Sequence, residues 1–96
     1  MKSLLALEAH ADLLGATLYL EDRETGLGNR FINDVRQARK DIERLPEGYQ
    51  VRYKNVRRKQ TEIFSYGLFY IVESNQLTIL RIIHPSRSPK NWPNQE

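Results

Sequence analysis

Leu27, Phe31, Val35, Ala38, Ile42 and Leu45 recur at i, i+4, i+8, i+11, i+15 and i+18, and Pro46 and Gly48 then stop the run. That spacing is one stripe of an amphipathic helix, with Asn33, Arg36, Lys40 and Glu43 on the opposite side. Proline cannot continue a helix, and glycine favours its end. Such a stripe must be covered by a second layer, so it predicts that Phe31, Val35, Ile42 and Leu45 are buried. An earlier run, Ala9, Leu13, Ala16 and Leu20 at i, i+4, i+7 and i+11, predicts a first helix, with Leu14 and Leu18 widening its stripe and Asp12 in water. Thr25-Gly26-Leu27-Gly28 breaks the two apart, and a short break of this kind predicts a helical hairpin.

After Pro46 the period changes from helical to alternating. Tyr49 to Val56, Thr61 to Ser65, Leu68 to Glu73 and Leu77 to His84 predict four strands, with Ser74-Asn75 as a tight turn. The last strand is apolar on both faces apart from Thr78 and Arg81, which predicts a place inside the sheet. Lys2 to Leu7 fits either a short edge strand or a helix capped by Ser3, and the strand is preferred. From Pro85 the prolines, serines and Asn/Gln predict an irregular tail with Trp92 as its one large anchor. The whole predicts a single α+β domain over residues 1–96, a helical hairpin on a small twisted antiparallel sheet.

Composition narrows the chemistry. At 96 residues, 40% hydrophobic and 28% charged, the chain has material for one core and little for a deep cleft. With no Cys and two His, thiolate catalysis and cysteine zinc sites are excluded; no metal and no cofactor are expected. No apolar run approaches the roughly 20 residues of a membrane span, and Leu4 to Leu7 is too short for a signal segment, so a cytoplasmic protein without a membrane partner is expected. Charge is unevenly placed: residues 1–48 carry a net −2 and residues 49–96 a net +5. A basic half suits a polyanion, an acidic protein segment or simple solubility.

Within that half, Arg52, Lys54, Arg57, Arg58 and Lys59 form five cations in eight residues. They would either face phosphate oxygens or make a solvated hairpin whose charge discourages edge pairing. Arg81 is a charge in an otherwise apolar strand, on a face shared with Leu77, Ile79 and Ile83. It either meets a partner's acid in a groove or pairs internally with Glu62 or Glu73. His84 ends that strand beside Pro85 and is either a hydrogen-bonded structural residue or a general base. Arg87 and Lys90 lie near it, and Phe64, Tyr66, Phe69 and Tyr70 are chiefly core filling, with base stacking by Tyr66 the alternative. There is no phosphate loop at a strand-to-helix junction and no nucleophile elbow.

In order, GLGNRF, LPEGY, VRRKQTEIFSYGLFYIVE and ILRIIHPSRSPKNW resemble the ParE branch of the RelE/ParE toxins, from about His10 to Trp92. The resemblance implies a helical hairpin on a small antiparallel sheet. It also implies a cognate antitoxin protein that wraps the toxin in a hetero-oligomer. Ribosome-dependent ribonucleases of the superfamily carry two arginines and a tyrosine where this chain has Gly67, Pro85 and Trp92. The ParE branch instead poisons DNA gyrase by binding and needs no active site. FSY and RSP stand here where that branch usually has FPY and RDP. The expectation is a growth-inhibiting toxin acting on gyrase, not an enzyme. The alternatives are cleavage of messenger RNA on the ribosome, or a degenerate member that only binds antitoxin. Arg57, Arg58, Lys59, Arg81, His84, Arg87 and Trp92 are the candidate target-binding residues.

Overall fold

The computed structural model describes residues 1–87. It runs β1 (Ser3–Leu5), α1 (Leu7–Arg23), α2 (Leu27–Arg44), β2 (Val51–Tyr53), β3 (Val56–Gln60), β4 (Gly67–Glu73), β5 (Gln76–Ile83) and a single 3-10 turn at Pro85–Arg87. The sheet order is β1-β5-β4-β3-β2. Strands β2 to β5 form the expected antiparallel meander, but β1 pairs parallel with β5, Ser3 opposite Leu77 and Leu5 opposite Ile79. The sheet is therefore mixed, because the hairpin carries the chain from the β1 edge across to β2 at the far edge.

The two helices cover one sheet face. Phe31, Val35, Ala38 and Ile42 of α2 and Ala9 and Leu20 of α1 bury themselves against Leu68, Tyr70, Leu77, Ile79 and Ile82. The Phe31 ring meets Phe64 edge-on at 5.6 Å and Tyr66 at 4.7 Å. Gly26 takes φ 98 at the start of α2, a conformation an L side chain rarely adopts, and the Glu21 carboxylate accepts the N–H groups of Gly26 and Gly28. At the other end of α2, Arg39 donates to the Ser3 hydroxyl and carbonyl at 3.0 Å, clamping β1 to the helix. The Tyr70 hydroxyl donates to the Pro46 carbonyl at 2.6 Å, and burial pushes its pKa up to about 12.

Several expectations change. Leu45 is not in the core: α2 ends at Arg44 and the backbone leaves helical angles at Leu45, which is 58% exposed. Leu14 and Leu18 do not widen the buried stripe; both point away from the core and are exposed. Tyr49 to Val56 is not one strand, since Lys54 takes a positive φ and the chain reverses between β2 and β3. Thr61 to Ser65 is not a strand either. Its backbone is claimed elsewhere: buried Asp34 accepts the N–H of Ile63 and Phe64, Thr61 N–H donates to Tyr66 O, and Ser65 has φ 61. A strand register slips between Phe69 and Tyr70, which oppose Arg81 and Ile79, so Leu80 is an extra residue. Ile82 consequently joins Leu77 and Ile79 on the core face, while Arg81 and Ile83 do not.

Candidate functional site

The alternation of β3 separates the three consecutive cations. Arg57 lies opposite Tyr70 on the helix side and donates to the Tyr49 carbonyl at 2.7 Å and to Glu47 O at 3.3 Å, fastening the loop before β2. Lys59 lies opposite Leu68 on that same side, 3.9 Å from the Asp41 carboxylate and 5.2 Å from the Tyr49 ring centre. Both are spent on the fold. Arg58 alone faces the other way, opposite Phe69.

Phe69 pairs in turn with Arg81, so Arg58, Phe69 and Arg81 form one cross-strand row on the face away from the helices. The Arg58 guanidinium carbon stands 5.8 Å from the Phe69 ring centre, and its Nη2 donates to Gln60 Oε1 at 2.9 Å. Its Nε is buried without a hydrogen-bond partner among the described residues. Burial, with the nearby Arg52 charge second, pulls its pKa below the usual arginine range. Gly67 makes the packing possible: a Cβ there would meet Arg58 Nε at 2.7 Å and Phe69 Cε1 at 2.9 Å.

Arg81 has neither of the expected acids as its partner. It holds Asp12 of α1 bidentately, Nε to Oδ2 at 2.7 Å and Nη2 to Oδ1 at 3.0 Å. The same carboxylate accepts the Ile82 N–H at 2.9 Å. The cause is geometric. The β1–β5 ladder ends where Ala6 N–H donates to Ile79 O, so the β5 edge beyond it needs an acceptor, and the first turns of α1 supply one. Asp12 is therefore largely buried rather than in water, and its hydrogen bonds raise the Arg81 pKa further.

His84 and Arg87 lie beside this pair. Asp12, Tyr19, Tyr66, Arg81, His84 and Arg87 line a cleft of about 290 Å³ between α1 and the end of β5. The His84 Nδ1 accepts the Ser86 N–H at 3.2 Å and lies 2.8 Å from the Ser86 hydroxyl. Burial and then the Arg87 charge lower its pKa, which favours the neutral ring. Arg87 packs over Tyr19 at 4.3 Å and donates to the Tyr66 hydroxyl at 3.0 Å, while burial raises the Tyr66 phenol. Trp92 lies outside the described residues.

The structure thus gathers Arg58 and Arg81 in one row and Arg81, His84 and Arg87 in one cleft, and places Arg57 and Lys59 on the helix side, apart from both. Asp12, Tyr19 and Tyr66 belong to the cleft although no local pattern singles out the first two. What the arrangement offers is cationic contact surface with the exposed Tyr19 ring beside Arg87, Phe69 and Tyr66 being buried. Among the described residues no helix is long and apolar enough to cross a membrane.

Residues 4–89 match the family model described as "ParE toxin of type II toxin-antitoxin system, parDE". The fold is similar to a solved chain titled "Chromosomal ParDE TA system from P. aeruginosa", with a TM-score of 0.77 and 18% identity over 88% of this chain and 95% of that one. No curated protein sequence matches this chain.

Proposed function

This chain belongs to the ParE toxin family of type II toxin–antitoxin systems, and on that premise we propose that it arrests growth by binding DNA gyrase and is neutralised by a cognate antitoxin. It acts in the cytoplasm and catalyses no reaction of its own. The observation that carries this reading is how the polar groups are engaged. Arg81 is held bidentately by Asp12, the His84 Nδ1 is occupied by Ser86, and Gly67, where the ribonucleases carry an arginine, leaves no room for a side chain beside Arg58. Cleaving RNA through its 2′-hydroxyl needs a base, an acid and cations converging on one phosphate. Binding needs only a fitting surface, which Arg58, Arg87 and the exposed Tyr19 ring supply.

A second reading, messenger RNA cleavage on the ribosome, is favoured by one observation: a near-neutral His84, Tyr66 and Arg87 share the cleft. One assay separates the two. Purified chain is mixed with gyrase and supercoiled DNA, and in parallel with programmed ribosomes. The expected result is trapped gyrase–DNA cleavage complexes, lost in Arg58→Ala and Arg87→Ala variants that keep the fold. Discrete transcript cuts abolished by His84→Ala would replace the gyrase reading with the ribonuclease. Neither activity would leave a member that only binds antitoxin.

A further inference from the structure

The five cations between Arg52 and Lys59 fare differently in the fold. Arg57 and Lys59 are engaged on the helix side, and Lys54 lies over the Tyr53 ring at 5.3 Å. Arg52 and Arg58 remain. Val51 opposes Arg57 on the helix side, so alternation puts the next residue, Arg52, on the face away from the helices with Arg58. Arg52 is exposed, and among the described residues no carboxylate pairs with either guanidinium. Val56 and Gln60 share that side of β3 and carry no charge. Glu73, the acid on the same side of β4, accepts from Asn55 at 2.9 Å, and Arg81, the third guanidinium of the face, has Asp12.

Like charges on neighbouring strands with no acid between them weaken a sheet. Burial and then the Arg52 charge lower the Arg58 pKa, which is the mark of that uncompensated pair. A chain that supplies Asp12 to Arg81 and Asp41 to Lys59 leaves these two to an anion from outside. The donor set selects the kind of anion. A protein carboxylate is held best by two parallel donors of one guanidinium. Arg58 cannot offer that fork, because its Nε is buried against Gly67 and its Nη2 donates to Gln60 at 2.9 Å. It acts as a point charge, the mode in which cations meet phosphate oxygens. A phosphodiester backbone takes such single contacts and repeats its charge along the strand, so neighbouring cations find neighbouring acceptors.

We propose that Arg52 and Arg58 grip the phosphate backbone of duplex DNA, so that the chain holds the DNA as well as the enzyme in a trapped gyrase–DNA complex. The choice of DNA rests on the gyrase reading above, whereas the anion chemistry rests on the pair itself.

The test mixes the purified full chain with a fluorescent DNA duplex in the absence of gyrase and reads anisotropy. Two phosphate contacts predict a slope of about −1.8 for log affinity against log salt, a loss of about twelvefold between roughly 50 and roughly 200 mM. Arg52→Ala, at an exposed position without a partner among the described residues, should halve the slope and weaken binding several-fold at the lower salt, with an unchanged circular dichroism spectrum. Arg52→Lys, which keeps the charge, should restore both. Arg44→Ala removes a cation from α2 that is 75% exposed and should alter neither. A chain that binds no duplex at the lower salt overturns the proposal, and so does a loss in Arg44→Ala as large as in Arg52→Ala. Binding of a glutamate-rich peptide that is lost in Arg52→Ala while duplex binding is kept would overturn it in favour of a protein carboxylate. An RNA duplex of the same sequence bound at least tenfold more tightly would overturn the choice of DNA. Because gyrase is absent, duplex binding by a chain that traps no cleavage complexes would retire the gyrase reading alone.

Discussion

At the scale of single residues, the Asp12–Arg81 pair ties the hairpin to the edge of the sheet. One carboxylate neutralises the Arg81 guanidinium and also accepts the Ile82 N–H that β1 is too short to reach. Both side chains are mostly buried, at 22% and 17% exposure, so the interaction is only lightly screened by water. Asp12→Ala should therefore cost about 1.5–3 kcal/mol, the range for hydrogen bonds to charged groups. Asp12→Asn, which keeps an acceptor for Ile82, should cost less. Urea unfolding of the two variants measures this, and a parental midpoint for Asp12→Ala would show that the pair contributes nothing.

At the scale of elements, α2 shows how far a periodic pattern can be trusted. Its stripe predicts burial for Phe31 and Leu45 alike, yet Phe31 is wholly buried and Leu45 is exposed, because helical angles end one residue before it. Phe31→Ala should cost about 3–5 kcal/mol, a large part of the stability of a small domain. Leu45→Ala should shift stability by no more than about 0.5 kcal/mol, as surface changes do. Denaturant midpoints of the two variants decide it, and equal losses would mean that the helix continues through Leu45. The segment after β3 teaches the complementary lesson. Thr61 to Ser65 has strand-forming residues, but Asp34, from a helix nearly thirty positions earlier, takes its N–H groups and holds it as a turn.

At the scale of the whole molecule, the net −2 of the first half and +5 of the second mean that the sheet strands after α2 carry the positive potential. An antitoxin segment that approaches this side should be acidic, and attraction between exposed charges acts mainly on the association rate. Co-expression with the adjacent reading frame should give a complex whose association rate falls as salt rises, over the range in which the Debye length shrinks from about 30 Å at 0.01 M to about 8 Å at 0.15 M. A rate indifferent to salt would remove the electrostatic part, and failure to co-purify would remove the pairing with that neighbour.

The sequence by itself determined the two helices, the strand-forming second half and the order of segments that resembles the ParE branch, because each rests on periodicity or on motifs readable along the chain. It also marked Arg81 as anomalous. Only the tertiary structure decided that Asp12, 69 residues away, is its partner, since nothing local links the two. The same holds for the extra residue at Leu80, which moves Ile82 into the core, and for the split of Arg57, Arg58 and Lys59 between two faces. It holds above all for α1, whose two apolar stripes are nearly equivalent as patterns. Which one meets the sheet depends on how β1 and the Gly26 turn aim the helix, and that is a property of the packed molecule rather than of the helix.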